Sequence, residues 1–350
     1  MTRRTSRNTP LAVANRVETG VRDLLARGAT RRGWTPAVIA YPGYGTAGGA
    51  RVLGRVLLAP PTVEPSSLRG IAGWRRLMTL EMSDVDVQVD LRTTTAQLTS
   101  GSAGLVDDLV STDTPLPPGQ VEVSFRLPGR EPISAPVHVA APTATTGVVC
   151  DIDDTAWITG LRHPLRAAWR TLTGSSSTRR SVPGMARLLS TAVEGIEHAP
   201  VVYLSNGPWN LLGPVSRFLE RHHFPPGPLL MTDWGTSPER WFRDGRQHKA
   251  SALERLARDF PDVRWILVGD DGEHDPEIYA DFASTHPDQV EAILLRQVRP
   301  SGPASPAPAE GAGDLPVLRG ADGDELRPQL EQHLRRDQAP PRRRPTPKGG

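Results

Sequence analysis

The run Gly147-Val-Val-Cys-Asp-Ile-Asp-Asp-Thr155 constrains this chain more than any other. Gly147 to Cys150 has no polar position on either face, the pattern of a central parallel strand, and it stops at a carboxylate. In open α/β sheets ligands sit outside the carboxyl ends of the strands, which puts Asp151 where chemistry is expected. Asp151 can attack phosphorus as a nucleophile and also hold a metal. Asp153, two positions on, can reach the same substrate from the turn as general acid and base, and Thr155 can fix the turn by bonding to backbone. The same nine residues also read as an acidic turn before a helix, with Asp153 or Asp154 as its N-cap.

Three later stretches extend the first reading. Val201-Val-Tyr-Leu204 is a second apolar strand that delivers Ser205 and Asn206 at its end, where Gly207-Pro208 breaks it. A hydroxyl beside a backbone N–H suits a phosphoryl oxygen. Lys249, ahead of the helical run Ala250 to Phe260, is one of only two lysines in an arginine-rich chain, and a compact ammonium neutralises phosphate beside a carboxylate. Trp265-Ile-Leu-Val268 is a third apolar strand, ending in Gly269-Asp270-Asp271-Gly-Glu-His-Asp275, which brings more carboxylates to the same sheet edge.

In order, Asp151-x-Asp153-x-Thr155, Ser205, Lys249 and Gly269-Asp270-x4-Asp275 resemble the four motifs of the haloacid-dehalogenase-like phosphatases. The fuller strings Leu204-Ser-Asn-Gly-Pro-Trp209, Met231-Thr-Asp-Trp-Gly235 and Gly269-Asp-Asp-Gly-Glu-His-Asp-Pro-Glu-Ile-Tyr279 resemble the actin-patch-protein phosphatidate phosphatase branch of that superfamily. The resemblance runs from about Thr146 to Pro300, with a weaker one through Tyr41-Pro-Gly-Tyr-Gly-Thr46 and Val52 to Val56. It implies that Asp151 forms an aspartyl phosphate and that Asp153 protonates the leaving oxygen, then activates water. Ser205 and Lys249 would hold the phosphoryl group. Asp270 would join Asp151 and the backbone carbonyl of Asp153 around Mg2+, with Asp275 orienting ligands from behind. Hard oxygen ligands beside a phosphate substrate independently favour magnesium. Asp271 stands where this branch is expected to carry a small residue, which leaves the metal role open between Asp270 and Asp271.

The reaction type is more constrained than the substrate. Between the first two motifs, Trp157 to about Ala199 leaves no room for a large cap domain. Trp157 to Leu161 and Leu165 to Trp169 mix apolar and basic residues at helical spacing. They read either as a patch that admits a lipid head group, with Arg162, Arg166 and Arg170 near its phosphate, or as an amphipathic helix packed on the core. Thr155, Asn206, Arg162 and Arg166 are thus the candidate substrate-binding residues.

At 350 residues the chain is long enough for two domains, and its apolar runs are too short to span a bilayer. Met1 to Arg7 is basic, but Asn15, Arg16, Glu18 and Arg22 break up the adjoining segment, so no secretory core is read there and a cytoplasmic location with peripheral membrane contact is expected. A formal net charge of +2 does not indicate a nucleic-acid partner. Cys150, the single cysteine, sits inside the first apolar strand and reads as core.

Before residue 146 the pattern changes. Leu11 to Ala26 reads as an amphipathic helix. Ala37 to Tyr41, Ala50 to Leu58, Val85 to Leu91, Gln120 to Leu127 and Ala135 to Val139 read as strands, the third and fourth alternating as half-buried antiparallel strands do. A small antiparallel β-sandwich is expected. Gly43-x-Gly45-x-x-Gly48 matches a dinucleotide fingerprint, but a strand rather than a helix comes after it, so a glycine turn is expected. Trp74 to Met78 reads as packed structure or as a basic–aromatic patch, and His222-His223 lack zinc-site spacing. Ser301 to Gly313 is a proline-rich linker, Leu326 to Leu334 a short helix, and Arg342 to Arg344 a basic tail that can touch anionic lipid.

The expected organisation is therefore an N-terminal helix (1–35), a β-sandwich (36–145), a haloacid-dehalogenase-like α/β domain with a minimal cap (146–300), and a linker with a disordered tail (301–350). The expected activity is Mg2+-dependent hydrolysis of phosphatidate to diacylglycerol and phosphate. The alternatives are a phosphatase of a soluble metabolite or phosphoprotein, and a catalytically silent lipid-binding adaptor.

Overall fold

A computed structural model describes residues 28–60, 80–158, 180–232, 238–298 and 315–337. The expected helix at Leu11 to Ala26, the Trp74 to Met78 segment, Arg162, Arg166 and Arg170, the end of the Met231 to Gly235 string, the 301–313 linker and Arg342 to Arg344 lie outside those residues. The chain divides into two compact units, Met1–Val139 and Ala140–Gly350.

The first unit holds β1 (Thr35–Thr46), β2 (Gly49–Ala59), β3 (Leu80–Glu81), β4 (Asp86–Leu91), β5 (Thr94–Thr99), β6 (Leu105–Ser111), β7 (Gly119–Arg126) and β8 (Ile133–Val139). Where a sandwich of two sheets is expected, all eight strands join one curled sheet in the order β3-β2-β1-β8-β7-β4-β5, with β6 also paired to β2. The cause is the length of β2. Its Leu57 and Leu58 pair with β3, and its Gly49 to Arg55 stretch pairs with β6. β1 runs antiparallel to β2 and parallel to β8, so the unit is not purely antiparallel. Alternation decides the inside: Val87, Val89 and Leu91 of β4 and Val121, Val123 and Phe125 of β7 point into one core with Val38, Val52, Val106 and Val137. The glycine motif lies in the β1–β2 hairpin, with Gly43 and Gly45 inside β1, and a strand does come next. β5 and β6 were not legible as strands. The first is Thr-rich with alternate exposure, and Asp107-Asp108 interrupts the second.

The second unit is built on β9 (Thr146–Asp151), α1 (Met185–Ala192), β10 (Val201–Pro208), α2 (Leu212–Arg221), β11 (Leu229–Thr232), α3 (Pro238–Asp259), β12 (Arg264–Asp270), α4 (Asp275–Thr285), β13 (Val290–Arg296), β14 (Val317–Gly320) and α5 (Gly323–Asp337). Its strands form an open sheet in the order β11-β10-β9-β12-β13-β14, every neighbour parallel. Counted from β9 this is the order 3-2-1-4-5-6 of doubly wound sheets, whose direction reverses between the first and fourth strands. Val148, Val149, Ile266, Leu267 and Val268 are fully buried, as central strands require. Truncating one of them, Leu267→Ala for example, would cost about 2–5 kcal/mol. Cys150 is a buried free thiol in this core.

In the C-terminal region the short helix expected at Leu326 to Leu334 lies within α5, while the strand before it is not expected of a linker and tail. Val317 to Gly320 pairs with β13 as a sixth strand, and α5 buries Leu326 and Leu330. The proline-rich composition of 301–313 hides this, because a four-residue strand leaves little periodicity to read. Pro328 is inside α5 but near its start, where a missing N–H costs least. Among the described residues no helix is long and apolar enough to cross a membrane.

Candidate active site

Because β9, β10 and β12 are adjacent and parallel, their carboxyl ends share one edge. Asp151 ends β9, Ser205 and Asn206 lie in the last half of β10, and Asp270 ends β12. Leu204 stands opposite Asp151 in register, and Val268 opposite Cys150.

Lys249 of α3 ties these ends together. Its ammonium is 2.7 Å from Asp151 Oδ1 and 2.5 Å from Asp275 Oδ1, and all three side chains are essentially without solvent. Asp151, Asp270 and Asp275 each present an oxygen within 4.8 Å of the others. Gly269 makes this possible: a Cβ there would lie 2.5 Å from Asp275 Oδ2.

The turn after β9 is not a helix N-terminus. Asp154 adopts a left-handed φ of 53°, Ala156 N–H donates to Ile152 O at 3.0 Å, and an isolated bridge links Asp153 to Trp157. The helix-cap alternative for Asp153 and Asp154 therefore falls. The Asp153 carboxylate accepts from Ser205 Oγ at 3.0 Å and from Trp157 Nε1 at 3.2 Å. Ser205 Oγ in turn accepts from Gly207 N–H at 3.0 Å. Trp157, expected on a lipid-facing or core helix, is buried against Phe218 with ring centres 5.3 Å apart. Thr155 Oγ1 is 3.4 Å from Asp270 Oδ2. It reaches a carboxylate rather than backbone.

The β12–α4 loop separates the acidic residues by role. Asp270 Oδ1 accepts from the N–H groups of Gly272 and Glu273, at 2.6 and 3.1 Å. Asp271 turns away from the cluster and accepts from Val298 N–H at 2.7 Å. Of the two neighbours, Asp270 is the one whose carboxyl group lies in the cluster. Asp275, expected behind the others, is in the cluster, with Oδ1 on Lys249 and Oδ2 3.4 Å from Asp270 N.

Charge balance shapes the protonation of this site. Burial pushes the Asp270 carboxyl up to about 8, with the Asp275 charge adding to the effect. Burial also raises Asp153, against the opposing hydrogen bonds from Ser205 and Trp157. Burial is the larger effect on Asp151 and raises its carboxyl, while the ammonium 2.7 Å away, itself held charged by Asp151 and Asp275, opposes that rise. One ammonium faces three buried carboxyl groups in a dry space, an arrangement that a further cation would neutralise. Asp151 Oδ2 accepts no hydrogen bond among the described residues. Buried oxygens without a donor, all of them hard ligands, fit a divalent cation.

Two participants carry no clear sequence signal of their own. Glu273 is held by Asn206 Nδ2 at 3.2 Å, and burial lifts its carboxyl to about 7. It stands in the acidic loop already singled out, but between the motif positions. Arg296 of β13 donates to the carbonyl of Asp154. It becomes visible only once Val290 to Leu295 is recognised as a strand with a basic end.

A parallel sheet with a lysine-bridged tri-aspartate cluster at its reversal point defines an α/β protein with a metal-competent carboxylate centre. Residues 146–297 match the family model described as phosphatidate phosphatase APP1, catalytic domain. Phosphatidate phosphatase APP1 of Saccharomyces cerevisiae is 27% identical over 194 residues, covering 54% of this chain and 32% of the yeast protein. An uncharacterised protein of Schizosaccharomyces pombe is 25% identical over 155 residues, 43% of this chain and 25% of its own length. The chain thus spans a third or less of the curated relatives it matches.

Proposed function

We propose that this chain is a magnesium-dependent phosphomonoesterase of the haloacid-dehalogenase-like type that hydrolyses phosphatidate through an aspartyl phosphate. The observation that carries this reading is Asp151: 2.7 Å from the Lys249 ammonium, with its second oxygen lacking a donor, at the strand end next to Asp153 and Ser205. The family match and the name of the yeast relative support the lipid substrate.

In the proposed reaction the substrate phosphoryl group sits between Ser205 and Lys249. An Asp151 oxygen attacks phosphorus, the bond from phosphorus to the leaving oxygen breaks, and that oxygen takes the proton of the Asp153 carboxyl. Burial of Asp153 favours the protonated form this step needs. Water then attacks phosphorus in the acyl phosphate and gives its proton back to Asp153. Phosphate leaves, and Asp151 is again a carboxylate. Asp151 and Asp270, with the carbonyl of Asp153, would hold the Mg2+, which when bound neutralises charge on the phosphoryl oxygens. Asp275 sets the position of Lys249.

Phosphate release from phosphatidate in mixed micelles, with and without Mg2+, for wild type and Asp151→Asn beside a soluble phosphoester, tests the reading. Mg2+-dependent release that the variant loses supports it. Release from the soluble ester alone keeps the chemistry and removes the lipid. Phosphatidate binding without any release would make the chain an adaptor.

A further inference from the structure

We propose that Arg296 is a positioning residue, and that through it the C-terminal strand and helix brace the catalytic turn. The inference rests on the roles proposed for Asp151 and Asp153. It concerns residues beyond the 146–297 match as well as the last residues inside it.

The turn carrying Asp153 has a conformational problem. Asp154 is left-handed, a state that a residue with a Cβ keeps only when its surroundings hold it there. On the β10 side the hold is the Ile152 N–H, which donates to Leu204 O at 3.0 Å. On the β13 side it is Arg296, whose Nη1 donates to the Asp154 carbonyl. The same guanidinium donates through Nε to Ala321 O at 3.2 Å, just past the end of β14. A planar, forked donor can serve two carbonyls in fixed directions, which a lysine ammonium on a flexible stem cannot do equally well.

The main chain of Arg296 widens the connection. Its carbonyl accepts from Asp271 N–H at 3.0 Å, in the loop that carries Asp270, and Gln297 N–H donates to Gly320 O at 2.8 Å. β14 and α5 are anchored in turn to α1. Gly184, at φ 67°, lies so close to the start of α5 that a Cβ there would stand 2.4 Å from Asp324 N, and Arg187 reaches Asp324 Oδ1 at 2.6 Å. One side chain therefore joins the turn of Asp153 to a strand that arrives after the matched family segment has ended.

Full-length wild type, Arg296→Met and Arg296→Lys would be compared by steady-state kinetics with Mg2+ and a soluble phosphomonoester, and by hydrogen exchange. For Arg296→Met, kcat is expected to fall at least tenfold with KM within about twofold. Exchange should accelerate in peptides covering 152–157 and 317–322 and stay unchanged in 201–208. Arg296→Lys should show the same pattern at smaller amplitude, and it decides the matter if the methionine variant does not fold. A wild-type kcat, unchanged exchange at 152–157, or a uniform loss of protection across 140–337 overturns the proposal. If wild type hydrolyses nothing, the reading of the site fails and the exchange pattern alone decides the positioning role.

Discussion

The two sheets differ in where they put their charges. In the curled sheet the buried cation Arg55 meets Glu81 at 3.2 Å and Ala103 O at 2.9 Å, and the contact fastens β3 and a neighbouring turn to β2. In the open sheet Asp151, Asp153, Lys249, Asp270 and Asp275 are all buried at one edge. The difference follows from strand direction. Mostly antiparallel neighbours send successive strand ends to opposite edges, whereas parallel neighbours send every carboxyl end to the same one. A parallel sheet therefore turns motifs scattered along a chain into a single site.

That contrast can be broken most sharply at Asp151. Asp151→Asn should lower kcat by roughly 10³-fold or more while far-UV circular dichroism stays unchanged, since the amide keeps the volume but not the nucleophile. Asp153→Asn should lower it by about 10²–10⁴-fold, the usual range for a lost general acid–base group, with the loss read in single-turnover assays of both half-reactions. If either variant retained full activity, the edge of the parallel sheet would not be where the chemistry occurs.

Stability sharpens the comparison next. Lys249→Met leaves buried carboxylates without their cation and should cost about 3–5 kcal/mol in denaturant unfolding of the second unit. Adding Mg2+ should restore part of it, and no recovery would count against a divalent site. Arg55→Met should destabilise the first unit, and the double variant with Glu81→Leu should regain part of the loss, because it no longer leaves the Glu81 carboxylate facing an uncharged side chain.

The smallest effect is a pH slope. Burial lowers the pKa of His138 in β8 below its ordinary 6.5, so below that value the unfolded chain binds the proton more readily than the folded one. His138 thus leaves stability intact above about 6.5 and erodes it as pH falls below. His138→Gln should flatten that part of the stability profile, and an unchanged slope in the variant would assign it to other groups.

Legibility in the sequence divides along the same line. Strands buried on both faces announce themselves as short apolar runs, so β9, β10 and β12 were visible, and the polar residues that end them marked Asp151, Ser205 and Asp270. β5 and β6, half-exposed and rich in Thr or Asp, offered no such contrast. Nor could spacing alone say that Asp271 turns toward Val298, or that Asp275 lies against Lys249, because side-chain direction in a loop is set by neighbours distant in sequence. The roles of Trp157 and Arg296 belong to that class.

The order of the strands also bears on how the protein is made. Thr155 and Asp270 are 115 positions apart, and Arg296 and Asp154 are 142. The central strand therefore leaves the ribosome well before the partners that complete the site on its β12 side. Contacts of such separation form late, after a long loop has been closed. Until β12 and β13 emerge, the nascent chain carries Asp151 on a strand with one side of its sheet missing, without the Asp270 and Asp275 carboxyl groups that complete its cluster.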